Sequence, residues 1–520
     1  MSEKKTVFMT GATGNMGWAS FQELLKHPDK VNIRLIARKS QKNFDKLGPY
    51  LSYPNVKVIW GDLLDYDSIL EGITGSDYVL HIGGMVSPSA DYRPYSTLKT
   101  NITAAENICK AVLAQPNADD INVCYIGTVA ETGCRNYPIH WGRTGDPIKI
   151  SVYDHYALSK VIAERTFVES GIKHWVVMRQ SGILYADILK NFDPIMFHVP
   201  LNGVLEWATI EDSGRLMSNF VTEDLPDDFW NRFYNIGSGK EYRLTNYEFE
   251  QLLLGCIGLG DAKLFFDPNW FVLKNFHGQF YADSDVLNDY LHFREDLPVE
   301  MYFQRLAKQA MPLLRLPKYL PNKKVIATFA KPFLKKLANT PRWGTQYWIK
   351  TNDQQRISAY YGTKEDWAKA GAYWSTFKLE KFGKKTKDAE QFKLDHGYDE
   401  SKPDSELDIN DIKQAAKFRG GECLSKTMKK GDLTTKLKWK CGRCGKEFEA
   451  SPNLILKGGH WCPHCYLPIE KWDYDDIAKT NPFFAQVWYN DHSPDEHNVY
   501  VLDEIFDGWE EKKFDVTTKQ

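Results

Sequence analysis

Three stretches of the sequence place a tyrosine four residues before a lysine: YALSK (Tyr156–Lys160), YLPNK (Tyr319–Lys323) and YYGTK (Tyr360–Lys364). Residues four apart on a helix face the same way, so each pair could bring a phenol and an ammonium together. A tyrosine with a pKa of about 10 is a poor acid or base at neutral pH, but a neighbouring positive charge favours the phenolate and lowers that pKa. The spacing predicts proton-transfer chemistry without distinguishing the three pairs.

A glycine-rich stretch, TGATGNMG, directly follows the first apolar run of the chain. Glycines where a strand turns into a helix permit a tight turn and let the backbone approach a pyrophosphate, which the helix N-terminus attracts. The position of this stretch predicts a dinucleotide site rather than a purely structural turn. The loop residues expected to contact the cofactor are Gly11, Thr13, Gly14, Asn15, Met16 and Gly17.

Two cations follow the second apolar run, where sites for NAD usually place an acid on the adenosine ribose. Arg38 and Lys39 suit a 2′-phosphate, so NADP(H) is favoured over NAD(H), with a solvated basic turn as the alternative. After the third run, Asp62 could accept a hydrogen bond from the adenine amino group. The other residues expected beside the cofactor are Leu63, Ile82, Gly83 and Gly84.

To bring these residues together, strands and helices must alternate along the chain. Over the first 180 residues, the short apolar runs TVFM, NIRLIA, VKVIW, DYVLHI, INVCYIG and HWVVMR are separated by segments with helical periodicity. This alternation predicts an α/β fold, a doubly wound parallel sheet of the Rossmann type. From about Ser181 to Leu316 the pattern loosens and becomes rich in aromatic residues, as expected for a part that covers a substrate.

The motifs together resemble the extended short-chain dehydrogenases/reductases, which include NAD-dependent nucleotide-sugar epimerases and dehydratases and enzymes similar to 3β-hydroxysteroid dehydrogenase. The resemblance covers roughly residues 5–300 through TGATGNMG, GDL, TNITAAENI, YIGTVAETG, YALSKVIAE and FYNIGSG. It implies that Tyr156 is the acid/base and that Lys160 holds the nicotinamide ribose. It also implies that Thr128, at the end of the fifth strand, orients the substrate oxygen. Tyr319 and Tyr360 are then expected to be structural.

Two departures from the family pattern affect the expected chemistry. Dehydratases of the family place an acidic pair after the strand hydroxyl, whereas Val129 and Ala130 follow Thr128, so elimination is not expected. The usual Arg-Pro after the sixth strand is replaced by Arg179 and Gln180. Contacts near the nicotinamide are therefore expected to differ.

Two Cys-x-x-Cys pairs lie in the carboxy-terminal part, separated by 17 residues: Cys441/Cys444 and Cys462/Cys465. Four thiolates at this spacing predict a closed structural zinc site. The stretch from Phe418 to Tyr466 resembles zinc-ribbon modules. A redox dithiol is the less favoured alternative, since a single pair would suffice for it. His460 and His464 are expected to be solvated or loop residues.

The length and the charge distribution of the chain indicate how it is divided into domains. At 520 residues several folding units are expected, and we place them at 1–315 (cofactor and substrate domain), 316–410 (helical and linker region), 411–466 (cysteine module) and 467–520 (acidic segment). The cysteine module carries 12 Lys or Arg against 5 Asp or Glu, and the segment after it carries 5 against 13. We expect the acidic segment to fold over the basic module, and a chain ending near Asp404 to keep its cofactor site.

The region before the cysteine module contains a basic stretch with apolar residues at near-helical spacing, from Val325 to Leu337. Packing on the body of the protein or on a partner is favoured over a membrane-surface helix. The start of the chain lacks the apolar stretch of a secretory signal, and no run is long enough to span a bilayer. A cytoplasmic protein is expected.

The sequence therefore predicts an NADP(H)-dependent oxidoreductase acting on a secondary alcohol or ketone of a bulky, partly apolar small molecule. An epimerase of the same family is the first alternative, and a nucleotide-sensing or nucleic-acid-binding protein is the second. A homo-oligomer is expected, whereas nucleic acid and membrane partners are not.

Overall fold

The computed structural model of the protein describes residues 4–190, 192–309, 316–319, 322–380, 382, 392–467 and 470–502. Its strands are β1 Lys5–Thr10, β2 Val31–Ala37, β3 Val56–Trp60, β4 Tyr78–His81, β5 Asn122–Thr128, β6 Trp141–Gly142, β7 His174–Gln180, β8 Ile183–Leu184, β9 Val204–Glu206, β10 Ala208–Thr209, β11 Arg232–Ile236, β12 Arg243–Thr245, β13 Phe280–Tyr281, β14 Gly421–Cys423, β15 Leu437–Cys441, β16 Glu447–Ala450, β17 Lys471–Trp472 and β18 Tyr500–Val501.

The α-helices are α1 Asn15–Leu24, α2 Gln41–Leu47, α3 Tyr66–Ile73, α4 Pro94–Leu113, α5 His155–Val168, α6 Ile210–Thr222, α7 Asn246–Cys256, α8 Ser284–Leu291, α9 Val299–Gln309, α10 Lys323–Ala338, α11 Thr345–Thr351, α12 Gln354–Tyr361, α13 Lys364–Ala370, α14 Ile409–Phe418, α15 Tyr474–Thr480 and α16 Pro482–Trp488. Short 3₁₀ turns include Val129–Thr132 and Pro194–His198, and Asn453–Lys457 forms a π-helical turn.

Seven of these strands form a parallel sheet in the order β11-β7-β5-β4-β1-β2-β3. Alternate residues of each strand point to opposite faces. Val7, Met9 and Leu80 contribute to the core beneath α1, α6 and α8, whereas Phe8 and Val79 contribute to the core beneath α3, α4 and α5. The predicted doubly wound, Rossmann-like sheet is confirmed.

The cysteine-containing part forms a three-stranded antiparallel sheet of β14, β15 and β16. Its buried residues, among them Trp439 and Trp461, belong to the same core as Trp175, Val177 and Phe233 of the large sheet. This part of the chain therefore shares a core with the side of the large sheet that carries α5.

A second shared core joins the later helices to the body of the protein. Trp348 and Tyr360 of α11 and α12 pack with Trp472 and Trp488 and with Val152, just before α5. Within the described residues, no helix combines the length and apolar character needed to cross a bilayer.

Candidate active site

The glycine-rich turn lies between β1 and α1 at the carboxyl end of the sheet. Gly11 has a φ of +76°, a conformation that favours glycine. A Cβ on Gly11 would lie 2.7 Å from the Cα of Gly83, and a Cβ on Gly17 would lie 2.2 Å from the Gly11 carbonyl oxygen. No side chain of the described residues caps the N-terminus of α1 at Gly14. The turn thus offers backbone amides and a helix dipole to an anion.

The loop after β4 lies against this turn. Thr10 Oγ1 accepts hydrogen bonds from the amides of Ile82 and Gly83, at 3.1 and 2.9 Å. A Cβ on Gly84 would lie 2.8 Å from the side-chain oxygen of Asn101. β1 and β4 are neighbours at the point where the strand order reverses, which is where doubly wound sheets bind ligands.

The predicted adenosine contacts lie along the same edge of the sheet. Arg38 and Lys39 follow β2 and are exposed, while Asp62 follows β3 and is half-buried. Lys46 on α2, which sequence reasoning missed, donates to the carbonyl of Thr13 at 3.0 Å. Its position could be inferred only once α2 was known to lean back onto the glycine turn.

The remaining predicted cofactor residues differ in their surroundings. Asn15 is exposed and hydrogen-bonds Tyr185, whereas Met16 is buried in the core beneath α1. The carbonyl of Leu63 accepts from the side chain of Asn107 at 3.0 Å. Met16 therefore packs in the protein core.

The three candidate catalytic residues meet at the carboxyl end of β5. Thr128 ends this strand, and Tyr156 and Lys160 lie in the first turns of α5. The side chains of Thr128 and Tyr156 are hydrogen-bonded to each other. The buried ammonium of Lys160 lies 4.4 Å from the centroid of the Tyr125 ring, which stabilises its charge.

Burial is the largest influence on the pKa values of Tyr156 and Lys160. It raises the pKa of Tyr156 above its ordinary value, although the hydrogen bond with Thr128 acts in the opposite direction. It also lowers the pKa of Lys160 to about 8, against the pull of Glu131 and Glu164. Among the protein's own groups, desolvation therefore outweighs the contacts that lower the pKa of Tyr156.

Two residues that were not singled out fix α5 to the loop after β4. The side-chain amide of Asn101 donates to Ser159 Oγ at 2.8 Å and to the carbonyl of Met85 at 3.0 Å. Ser159 Oγ in turn donates to the carbonyl of Tyr156 at 2.7 Å. Asn101 belongs to the TNITAAENI motif, so its place in the motif was the signal available in the sequence.

A buried cluster of charges lies behind the candidate catalytic residues. Arg179 donates to both carboxylate oxygens of Glu164, at 2.6 and 3.0 Å, and its Nε lies 3.2 Å from Glu131. Burial and repulsion from Glu164 hold the pKa of Glu131 well above its ordinary value. Burial pushes the pKa of Glu164 upward, but Arg179 and a hydrogen bond from His460 outweigh it and hold that pKa low. Within the cluster, Arg179 therefore favours the charged form of Glu164, whereas Glu131 is shifted toward its neutral form.

This cluster is connected to the catalytic residues through the backbone. The amide of Thr128 donates to Glu131 Oε1 at 2.9 Å, and Glu164 lies one helical turn after Lys160. His460 Nε2 lies 2.8 Å from Glu164 Oε1, and the histidine is fully buried. His460 lies in a loop, as expected, but it is not solvated, because the cysteine module inserts it into the core behind α5.

The Gly-Gly-His stretch makes this insertion possible. A Cβ on Gly458 would lie 2.8 Å from the ring of Phe233, and one on Gly459 would lie 1.9 Å from the carbonyl oxygen of Asp146. Gly459 also has a φ of +76°. Its carbonyl accepts from the amide of Ile148 at 3.1 Å. Only glycine fits this close approach to the large domain without strain.

The four predicted cysteine ligands come together. Their sulfur atoms all lie within 4.8 Å of one another, with Cys441 and Cys465 at 3.6 Å and Cys444 and Cys462 at 3.7 Å. Tetrahedral Zn–S bonds of about 2.3 Å would place sulfurs roughly 3.8 Å apart. The donor set and its spacing therefore fit a zinc ion.

The basic residues around the cysteines are largely engaged within the chain. Arg443 contacts Asp473 and Asp476 of the following acidic segment, the latter at 3.0 Å, and Lys457 pairs with Asp404 at 2.6 Å. Trp439 and Trp461 are buried. Neither tryptophan offers a stacking surface to a base, which weakens the nucleic-acid alternative.

A cavity of about 110 Å³ lies between α7 and the segment before β9. Its lining is mainly apolar and includes Met196, Leu205, Trp207, Phe249 and Glu250. Burial raises the pKa of Glu250 to about 8, and within the described residues its Oε2 has no hydrogen-bond partner.

The other two tyrosine–lysine pairs differ from the Tyr156 pair. Tyr360 is buried and stacks on Trp348, with ring centroids 4.8 Å apart. Tyr319 is 79% exposed. Neither tyrosine belongs to an element that directly follows a strand of the large sheet.

Comparisons with known proteins concern the first part of the chain. Residues 7–178 match the family model of the NAD dependent epimerase/dehydratase family. The UDP-glucose 4-epimerase of Rickettsia bellii (strain RML369-C) is 34% identical over 111 residues, which is 21% of this chain and 32% of that protein. The enzyme of the same name from Rickettsia akari (strain Hartford) is 34% identical over 113 residues, 21% and 33% of the two chains. The chain thus spans about a third of the length of the curated relatives it matches.

Two solved structures are similar at lower identity. A double mutant of the dTDP-glucose 4,6-dehydratase DesIV from Streptomyces venezuelae, with NAD and DAU bound, is 16% identical with a TM-score of 0.46, over 58% of this chain and 95% of that one. The UDP-glucose 4-epimerase from Bifidobacterium longum, in complex with NAD+ and UDP, is 14% identical with a TM-score of 0.45. The match covers 58% of this chain and 97% of that one. By sequence, residues 7–178 of this chain carry the pattern of the NAD dependent epimerase/dehydratase family.

Proposed function

We propose that this protein is a nicotinamide-dependent enzyme that moves hydride between its cofactor and a secondary alcohol or ketone. The observation that carries the proposal is the Thr128–Tyr156 hydrogen bond at the sheet edge that also holds the glycine turn. The bound cofactor supplies the hydride chemistry. The protein's residues position the substrate and handle its proton.

Each member of the trio has a distinct role in this proposal. Thr128 holds the substrate oxygen, and Tyr156 exchanges the proton with it. The raised pKa of Tyr156 keeps the phenol protonated, so that it holds a proton for a carbonyl oxygen. Removal of a proton from an alcohol instead requires the phenolate, which a positive charge beside the phenol stabilises. Lys160 supplies that charge and holds the nicotinamide ribose.

We infer that NADP(H) is preferred over NAD(H). Arg38 and Lys39 are exposed at the end of β2, and the cation of Lys46 lies on the neighbouring glycine turn. Two or three cations at this edge would stabilise a 2′-phosphate. The four cysteines are proposed to hold a structural zinc with no open position for catalysis.

An epimerase is the second candidate, favoured by the aligned relatives, which carry the name UDP-glucose 4-epimerase. An epimerase would use the same trio but return the hydride to the other face of the substrate carbon. Net change in nicotinamide absorbance with substrate would support the oxidoreductase, and isomer formation without such change would support the epimerase. The mainly apolar lining of the cavity beside Trp207 suits a small apolar group of the substrate in either case.

The test is Tyr156→Phe, with Tyr319→Phe as the matched control. We expect Tyr156→Phe to lose turnover by at least about a hundredfold while cofactor affinity, measured by fluorescence titration, stays nearly unchanged. The exposed Tyr319 should tolerate the same change. Turnover close to wild type in Tyr156→Phe would overturn the assignment.

A further inference from the structure

The helix α10 packs on the body of the protein with one face. Ala327, Leu334 and Ala338 are buried in a core with Phe197 and Trp270. Phe197 belongs to the turn Pro194–His198, which also contains Met196 of the cavity lining. This face includes Ile326, Leu334 and Leu337 of the regularly spaced apolar residues in the sequence.

The opposite face of α10 carries a second apolar stripe that is exposed. Val325, Phe329 and Phe333, spaced four residues apart, are 50%, 78% and 55% exposed. Phe192, 54% exposed, extends the stripe, since its ring lies 5.9 Å from that of Phe333. Exposed phenylalanines gathered on one surface mark an interaction site rather than ordinary surface.

The sequence segment that contains this stripe carries only positive charges. The sequence from 301 to 352 contains 11 Lys or Arg and no Asp or Glu, in a chain whose net charge is −2. Lys324, Lys335 and Lys336 of α10 are exposed beside the stripe. Lys331 is paired with Asp267 at 2.6 Å. The surface therefore combines exposed aromatic side chains with uncompensated positive charge.

We propose that this face of α10 docks on the surface of an anionic lipid bilayer. An interfacial helix buries an apolar stripe at the acyl boundary while lysines on either side contact anionic headgroups. A second copy of the chain is a poorer occupant, because a two-fold contact would bring the lysines of both copies together. Nucleic acid would leave Val325 and the phenylalanine stripe without an apolar partner.

The proposal has a geometric consequence. At about 1.5 Å per residue the 16-residue helix is roughly 24 Å long and lies flat on the body through its buried face. Docking would place Phe192 next to the lipid, because its ring lies 5.9 Å from that of Phe333. The turn Pro194–His198 would stay on the side of α10 away from the lipid, because Phe197 packs on the buried face of the helix.

The test is flotation of the full chain with vesicles of phosphatidylcholine alone or mixed with phosphatidylserine. We expect binding to the anionic vesicles only, weakened by salt. Lys335→Gln/Lys336→Gln should reduce it roughly 30-fold, at a factor of about five per lysine. Phe329→Ser/Phe333→Ser should reduce it about tenfold or more.

Tyr373→Ser is the control, because this tyrosine is 73% exposed elsewhere and its loss should leave binding unchanged. Circular dichroism would show that the exposed substitutions leave the fold intact. No binding to anionic vesicles, or equal binding by the double variants, would overturn the proposal. A dimer that Phe329→Ser/Phe333→Ser dissociates would assign the face to a second copy instead, and RNA binding lost in the lysine variant would assign it to nucleic acid.

Discussion

Replacing Arg179 by methionine would leave the carboxylates behind the active site without their contacting cation. The guanidinium is almost fully buried and donates to both oxygens of Glu164, at 2.6 and 3.0 Å. It also lies 3.2 Å from Glu131 and donates to the carbonyl of Gly458 at 2.7 Å. Methionine is flexible and fills a similar volume, so the change removes charge and donors with little loss of packing.

The loss of stability in Arg179→Met depends on the carboxylates that remain buried. Breaking a buried ion pair costs about 3–5 kcal/mol, because the partner left behind stays desolvated. Glu131 adds less to that cost, because its pKa is already held well above its ordinary value. We therefore expect Arg179→Met to lower the free energy of unfolding by about 3–5 kcal/mol. Glu164→Gln should cost less, roughly 1–2 kcal/mol, because Arg179 keeps Glu131 as a partner.

The same change should alter the dependence of stability on pH. In the wild type the depressed pKa of Glu164 stabilises the fold above its ordinary value of 4.5, and this stabilisation is lost as the pH falls. Without Arg179, burial raises that pKa instead, so the variant loses stability as the pH rises above 4.5. The difference between the two proteins should therefore grow from acidic to neutral pH.

Urea unfolding followed by circular dichroism at acidic and neutral pH measures both effects. Lys173→Met is the control, since it breaks an exposed ion pair with Asp119, 3.7 Å apart, and should cost under about 1 kcal/mol. A loss for Arg179→Met as small as that of the control, or one independent of pH, would refute the description of the cluster.

Three further predictions concern the cofactor, the cysteines and the Gly-Gly-His stretch. Arg38→Asp should shift the ratio of kcat/KM for NADP(H) over NAD(H) at least about tenfold toward NAD(H); an unchanged ratio would mean that Arg38 is merely solvated. Elemental analysis should find about one zinc per chain in the wild type and in Cys423→Ser, but none in Cys462→Ser; metal retained in both variants would refute the ligand set. Gly459→Ala should destabilise by about 1–3 kcal/mol more than Gly171→Ala, because both glycines have positive φ but only Gly459 faces a backbone carbonyl, at 1.9 Å. Equal melting points for those two variants would contradict the close packing.

The sheet and the glycine turn could be predicted because their determinants are local. Alternating apolar runs and helical segments specify a doubly wound sheet, and the position of Gly11 after the first run specifies the turn. Tyr156 needed wider context, since three pairs share its spacing. Its selection over Tyr319 and Tyr360 came from the resemblance to a family.

The contacts that the sequence did not reveal are long-range or depend on which face is buried. His460 and Glu164 are 296 residues apart, so no periodicity could pair them. The apolar residues of α10 predicted a packed helix, yet periodicity alone could not show that Leu334 is buried while Phe329 is exposed. Both outcomes are set by tertiary packing.

The shared core changes what the cysteine module is expected to do. A chain ending near Asp404 would keep Tyr156 and the glycine turn, which is why the sequence predicted an intact cofactor site. Yet it would uncover Trp175 and Phe233, which pack with Trp439 and Trp461 in the structure. It would also remove the His460 hydrogen bond to Glu164, one helical turn from Lys160. The structure therefore favours a truncated chain that is unstable or insoluble, because the module completes the core that positions the catalytic helix.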